Sequence, residues 1–360
     1  MIVNANLPVG ITIGASANPF CPGNSVTFTA TPMNGGTNPA YQWKVNGINK
    51  GTNSPTYSYN PASGDLVSCI LTSNLPCVTA NPATSNTITM SGTLASVVTF
   101  TRCFDSITTT TAQPFKLKGG IPLGGTYSGA GVAGGIFHPA IAGAGSHLIT
   151  YTYTNAALCA TSATVPIVMI VPAVTTCGNP ITDPRDNKTY QTVKIGNQCW
   201  MAEDLNYGNE ISSSTDQRDN CIPEKYHNPV SSIQHPASVY QWDEIMNYDE
   251  SISPQCLCPP GWHVPSEADW NTLFKNYTDN GFAASPLKYS GFSGFNALLN
   301  GARHLNSKWD FQGFATFFWS SAAHGTDKAW AHGMNDPDPS VSAYPAFRTN
   351  AFSVRCIKDN

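Results

Sequence analysis

The chain has 360 residues, enough for two or three domains. Charged residues make up 11% of it and the net charge is −4, so no basic face offers itself to nucleic acid or an anionic membrane. No apolar run reaches the roughly 20 residues of a membrane helix, and eleven cysteines without a zinc-finger spacing read as an oxidised framework outside the cytosol.

The opening "MIVNANLPVG" lacks a basic segment and a continuous apolar core, so it is not a secretory signal. A disulfide protein of this kind is expected to be a mature product or a piece of something longer. Next come "SVTFTATP", "YQWKVNG", "PTYSYNP", "DLVSCILTSN" and "NTITM", which alternate apolar and polar residues and are split by Gly, Asn and Pro. The pattern returns in "VVTFTRC", "PFKLKGG", "GTYSGAG", "HLITYTYTN" and "ATVPIVMIV". Recurring turns at this interval predict two β-sandwiches. Cysteine spacing supports a repeat: Cys21 and Cys77 are 56 residues apart, and so are Cys103 and Cys159. The expected bonds are therefore Cys21–Cys77 and Cys103–Cys159, with Cys21–Cys69 as the rival. Cys69 otherwise stays free, because the position facing it is expected to be Ala30.

Stretches such as "CPGNSVTFTATPMNGGTNPAYQWKVNG" and "GGTYSGAGVAGGIFHP" resemble the Ig-like/PKD-like repeats of giant surface proteins from the Bacteroidota. In such arrays one repeat ends in "ITM" and runs into the next. "MIV" at the start resembles that tail, which implies an internal position in a longer tandem array or a gene start that mimics one.

Composition changes near "VPAVTTCGNP". Only seven charged residues precede residue 177, whereas seven of eight Trp and six of eight His follow it. "KTYQTVKIGNQCWMAEDLNY" predicts two strands about a Gly196-Asn197 turn, and "SVYQWDEIMNYDE" a short helix carrying Trp242 and Met246. "PSEADWNTLFKNY" is the clearest helix: Ser266 is an N-cap with Asp269 three residues on, and Trp270, Leu273, Phe274 and Tyr277 share a face. "GFNALLNGAR", "FATFFWSSA", "KAWAHGMN" and "AFSVRCIKD" read as short strands.

Six ordered blocks, among them "CPPGWHVPSEADWNTL" and "AFSVRCIKD", resemble the Fibrobacter succinogenes major paralogous domain, similar in turn to the C-type lectin-like fold. The fold class expected is mainly β: Ig-like repeats over 1–93 and 94–175, then an α+β C-type lectin-like domain over 176–360. The resemblance implies a disulfide Cys258–Cys356, closing a loop worth roughly 4 kcal/mol in chain entropy. Cys177, Cys199, Cys221 and Cys256 then make two further bonds, with three connectivities open. Cys256-Leu257-Cys258 alone matches neither a zinc nor a Cys-X-X-Cys redox site. Trp262 and His263 read as core packing and a hydrogen-bonded turn, with His263 as a catalytic base the minor reading.

No nucleophile elbow, metalloprotease or phosphate-loop motif appears, and Ser293 of "GFSGF" sits in a turn. Formylglycine-generating relatives use paired cysteines near the C-terminus, where this chain has Cys356 alone, so no enzymatic activity is expected. The fold implies a ligand site in 324–350, where Trp330, His332, Asn335, Asp336, Asp338, Tyr344 and Arg348 supply the aromatic faces and polar groups that sugar recognition needs. Asn335, Asp336 and Asp338 offer oxygen ligands suited to calcium; the opposing reading makes "NDPDP" an exposed turn and Trp330 core. The expected function is a secreted cell-surface adhesin fragment binding an extracellular glycan or surface protein. The alternatives are a structural subunit or cap of a self-associating extracellular fibre and, last, an enzyme of the formylglycine-generating type.

Overall fold

The computed structural model describes residues 7–156, 158–172, 176–228, 238–249, 257–277, 283–289 and 291–359. It is mainly β, with several sheets and few short helices. Two compact units are present. The first holds Met1–Val98, Ile121–Gly125 and Thr152–Ser162; the second holds Thr99–Gly120, Thr126–Tyr151 and Ala163–Asn360.

In the first unit, strands Gly10–Ala15, Val26–Met33 and Thr56–Tyr59 form one sheet, and Ile88–Thr89, Leu66–Thr72, Ala40–Val45 and Ile48–Lys50 form another. The alternation in the sequence sends one face of each strand inward: Ile11, Ile13, Val26, Phe28 and Ala30 meet Trp43, Val67, Cys69 and Leu71 in one core. Trp43 is fully buried and its indole N–H donates to the Ser54 carbonyl at 2.9 Å, which satisfies the one polar atom it brings inside. Cys69 is a free thiol in that core, and burial pushes its pKa up to about 11.

The equal-spacing argument for the disulfides is corrected. Cys21 bonds Cys159, with Cα atoms 5.4 Å apart, not Cys77, and Cys103 bonds Cys221, not Cys159. Cys77 is an exposed free thiol in the left-handed backbone region, and Cys69 is likewise unbonded, which removes the Cys21–Cys69 rival. Sequence separation counts residues along the chain, whereas a bond depends on which loops the packing brings together. Cys159 lies in the turn between the long strands Gly145–Thr154 and Ala160–Ile170, and that turn is part of the first unit. The remaining assignments are Cys177–Cys199 and Cys258–Cys356, the latter as the resemblance implied. Cys256 and residues 1–6 lie outside the described residues.

In the second unit, Phe100, Phe137, Ile149, Tyr151, Ile167 and Met169 are buried, with Phe100 5.4 Å from Tyr127 between ring centroids. This part is tied to the C-terminal region by charge as well as by Cys103–Cys221. Arg185 donates to Asp183 at 2.7 and 2.9 Å, to Asp105 at 3.0 Å and to the Leu257 carbonyl at 2.9 Å, and stacks 3.8 Å over Tyr207. Burial outweighs the attraction of Arg185 and pushes the Asp105 carboxyl up to about 6.

Among the described residues, the C-terminal region has three larger sheets and the small pair Ile181–Thr182 and Thr189–Tyr190. Thr192–Ile195, Gln198–Met201, Ile357–Lys358 and Trp262–His263 form the first, which brings the chain end onto the start of the region. Tyr240–Gln241 pairs with Ala351–Phe352 in a second, six-stranded sheet. The third is a meander of Ala315–His324, Lys328–Asn335 and Val341–Phe347. "SVYQWDEIMNYDE" divides into strand Ser238–Gln241 and a one-turn helix Trp242–Ile245. The expected helix runs Glu267–Lys275 with a complete capping box, Ser266 and Asp269 each satisfying the other's backbone N–H. Its Trp270 and Leu273 are buried with Trp200, Phe295 and Phe318. At the centre, Asp204 receives the Arg355 guanidinium, the Ser353 hydroxyl at 2.8 Å and the Asn300 amide at 2.8 Å, so a buried ion pair is closed by hydrogen bonds.

Candidate functional site

Seven residues of 324–350 were expected to form a ligand surface, and the structure separates them. The meander buries both faces of Lys328–Asn335: Ala329 and Ala331 join one core cluster while Met334 joins the other. His332 lies on the Met334 side, 1% exposed, with Trp270 and Phe274 at 5.0 and 5.2 Å and its Nε2 3.1 Å from Glu267. Arg348 is 7% exposed; it donates to the Lys328 and Gly325 carbonyls, pairs with Asp243 at 3.5 Å and lies 4.3 Å over Trp242. These two are corrected from ligand residues to parts of the framework, because both sheet faces are covered and a long cation is needed to gather the hairpin's carbonyls. Trp330 is half-buried, edge-on to His324 at 5.2 Å.

Asn335, Asp336 and Asp338 are exposed on the turn after the strand. The oxygen donors proposed for calcium converge on an ammonium of the protein itself. Lys288 Nζ donates to the Asn335 carbonyl, to Asp336 Oδ1 at 3.2 Å and to the Asp338 carbonyl at 2.9 Å. The Asp338 carboxylate is engaged by Ser340, whose backbone N–H and hydroxyl donate at 2.8 and 2.7 Å and hold its pKa below the usual range. A divalent ion in this turn would have to displace Lys288 or bear its repulsion. No cluster of three or more His, Cys, Asp or Glu suited to a metal occurs among the described residues.

Beside this turn lies a cleft of about 590 Å³ whose lining includes Phe311, Phe314, Phe317, Tyr344, Asn335 and Asp336. The rings form a connected set: His304 meets Phe311 edge-on at 5.8 Å, Phe311 meets Phe317 at 5.8 Å, and Phe317 meets Tyr344 at 6.2 Å and Phe352 at 5.2 Å. Phe352 is the buried floor, while Phe311 is 48% and Phe314 70% exposed. Burial raises the Tyr344 phenol above its ordinary pKa, so it stays a neutral hydrogen-bonding group at all physiological pH.

Local backbone chemistry places these rings. Gly301 has φ +69°, and a Cβ there would lie 2.2 Å from the Asp310 carbonyl, so only glycine lets the loop fold back. The Ala315 and Phe314 amides donate to the Phe311 carbonyl, and the Asp336 amide donates to the Phe314 carbonyl at 2.8 Å, joining the acidic turn to the phenylalanine loop. Sequence reasoning found Asn335, Asp336 and Tyr344 of this cleft and missed His304, Phe311 and Phe314. The signal for Phe311 and Phe314 was present in "KWDFQGFATFF", where aromatic residues flank a Gln-Gly turn instead of alternating along a strand.

His263 is held between carboxylates, Nδ1 2.7 Å from Asp359 and Nε2 3.5 Å from Asp269. Burial opposes its charge, but hydrogen bonds to Asp269 and Asp359 outweigh this and raise its pKa to about 9. It is a structural cation joining the helix start to the last strand. Ser293 accepts the Phe295 amide at 3.1 Å within a turn.

No curated protein matches the chain. Solved structures that resemble part of it include two from adhesin work. One comes from work on a Ca²⁺-stabilized adhesin that helps an Antarctic bacterium reach out and bind ice; it is 14% identical at a TM-score of 0.27, with 55% of this chain and 63% of that chain covered. The match therefore spans less than two thirds of that neighbour. The other comes from work on host cell surface retention of a 1.5-MDa bacterial ice-binding adhesin; it is 12% identical at a TM-score of 0.22, with 55% of this chain and 84% of that chain covered. Neither superposition is close enough to carry fold or function across. Residues 193–358, the region that holds the cleft, match the family model of the Fibrobacter succinogenes major domain.

Proposed function

We propose that the protein is an extracellular surface adhesin in which Ig-like repeats carry a C-type lectin-like domain, and that this domain binds its ligand in the aromatic cleft. The observation that carries the reading is the cleft itself: exposed Phe311 and Phe314 beside the rim residues Asn335 and Asp336. Large aromatic faces left in water next to fixed polar groups mark a binding surface. Rings stack on the C–H faces of a sugar while amides and carboxylates take its hydroxyls, so a glycan is the ligand class that fits best. Four disulfides suit an oxidising compartment, and no described helix is long and apolar enough to cross a membrane. The domain is read as a binder and not as an enzyme; Cys356, the cysteine placed where formylglycine-generating relatives use theirs, is bonded to Cys258. Calcium has no part in this reading, because Lys288 already neutralises the acidic turn. The test is a glycan array and whole-cell binding with wild type and Phe314→Ala; equal retention of both would exclude the cleft.

A second reading, a structural subunit of an extracellular fibre, is favoured by Leu94, Val97, Leu123 and Leu158, all strongly exposed in the first unit. Negative-stain microscopy separates the two: filaments of the purified chain support the fibre, and monomers that bind ligand support the adhesin.

A further inference from the structure

A lysine and an asparagine side chain meet inside the C-terminal domain, away from the aromatic cleft. Lys225, in the strand Glu224–His227, is buried and its Nζ donates to Asn206 Oδ1 and, at 3.2 Å, to the Asn206 backbone carbonyl. The contact to Oδ1 sets the amine alongside Cγ, one covalent bond away. Ser238 Oγ donates to the same Oδ1 at 2.8 Å. That carboxamide oxygen therefore has a fixed hydroxyl donor where negative charge would develop if Cγ were attacked. A second amine, Lys188 Nζ, donates to the Asn206 backbone carbonyl, lies within hydrogen-bond reach of Lys225 and pairs with Asp186 at 3.2 Å. Glu210 is the register partner of Lys225 across the parallel pairing of their strands.

A buried amine beside a second, half-exposed one does not stay charged at low cost. Burial, reinforced by Lys188, lowers the Lys225 pKa to about 8, so a useful fraction is a free amine near neutral pH. An amine nucleophile, a carboxamide, a donor on its oxygen and an amine–carboxylate pair for moving protons are together the parts of an acyl transfer.

We propose that Lys225 and Asn206 condense to an intramolecular isopeptide bond that ties the strand Glu224–His227 to the segment following Gln198–Met201. Neutral Lys225 Nζ attacks Asn206 Cγ, and the carbonyl electrons move onto Oδ1, which Ser238 Oγ–H stabilises. The proton that Nζ loses is the one the Nδ2 group gains. The Cγ–Nδ2 bond then breaks with its electron pair and ammonia leaves. One primary amide becomes a secondary amide plus ammonia, so no oxidant, reductant or cofactor is consumed. A cleft of about 430 Å³, lined in part by Lys188, Tyr190 and Asn206, gives ammonia its exit. Such a bond, added to the disulfides, is a cross-link that reduction cannot undo.

The test is mass spectrometry of the full chain after boiling in denaturant and reductant. The expected mass is that of the reduced sequence less one ammonia, with a branched peptide joining Asn206 and Lys225 after proteolysis. A succinimide at another asparagine has the same mass loss but opens in hydroxylamine and leaves no branched peptide. Lys225→Arg removes the cross-link, and Ser238→Ala slows its appearance during refolding. Recovery of Asn206 and Lys225 in separate, unmodified peptides from wild type after prolonged incubation overturns the proposal, with no dependence on how the variants fold. The result is also independent of ligand binding in the aromatic cleft.

Discussion

Phe314→Ala separates a binding surface from a packing residue. Phe314 is 70% exposed, so about 30% of its surface is withdrawn from water. For an aromatic side chain that is on the order of 60 Å², worth about 1.5 kcal/mol at roughly 25 cal/mol per Å². In a unit of this size the melting temperature should fall by less than about 5 °C. A ring that stacks on a bound sugar contributes on the order of 1.4 kcal/mol or more, a tenfold loss in affinity. Phe352→Ala is the control: it is 2% exposed on the cleft floor, and its truncation should cost about 3–5 kcal/mol. Differential scanning fluorimetry and cell-surface or glycan-array binding on the same samples give both numbers. Wild-type binding by the double variant Phe311→Ala/Phe314→Ala would refute the assignment of the cleft, as would a large melting shift for Phe314→Ala alone.

Arg355→Met leaves Asp204 buried beside Ser353 and Asn300 without its cation, and chemical denaturation should show a loss of about 3–5 kcal/mol. His263 is the pH-sensitive joint: its folded pKa of about 9 lies above the ordinary 6.5, so its stabilisation is complete below about pH 6.5 and fades as pH rises through 9. The stability gap between wild type and His263→Asn, on the order of 2 kcal/mol at pH 6, should therefore close by pH 10 in a denaturation series. Chelation of calcium should leave both ligand binding and the melting temperature of wild type unchanged, because Lys288 fills the acidic turn. Lys288→Met should loosen that turn and weaken ligand binding at the rim; a calcium-dependent melting temperature in wild type would contradict this account.

Much of this architecture can be read along the chain because it rests on local rules. Alternating residues in "SVTFTATP" and "DLVSCILTSN" set which side chains of Val26–Met33 and Leu66–Thr72 face the core, and Ser266 with Asp269 marks a helix start through atoms three residues apart. Ordered blocks likewise pointed to the family domain within 176–360, where the family model matches 193–358. Cysteine partners, by contrast, depend on loops far apart in sequence: Cys21 meets Cys159 and Cys103 meets Cys221 because packing joins those turns, which no count of intervening residues encodes. The candidate site divides the same way. Asp336 and Tyr344 were legible as polar and aromatic residues in one segment. That His332 and Arg348 turn inward, that Lys288 supplies the cation for the acidic turn, and that Phe311 and Phe314 join the cleft from a loop before the meander were decided by tertiary structure, because burial and charge pairing are properties of neighbours in space and the sequence orders neighbours only along the chain.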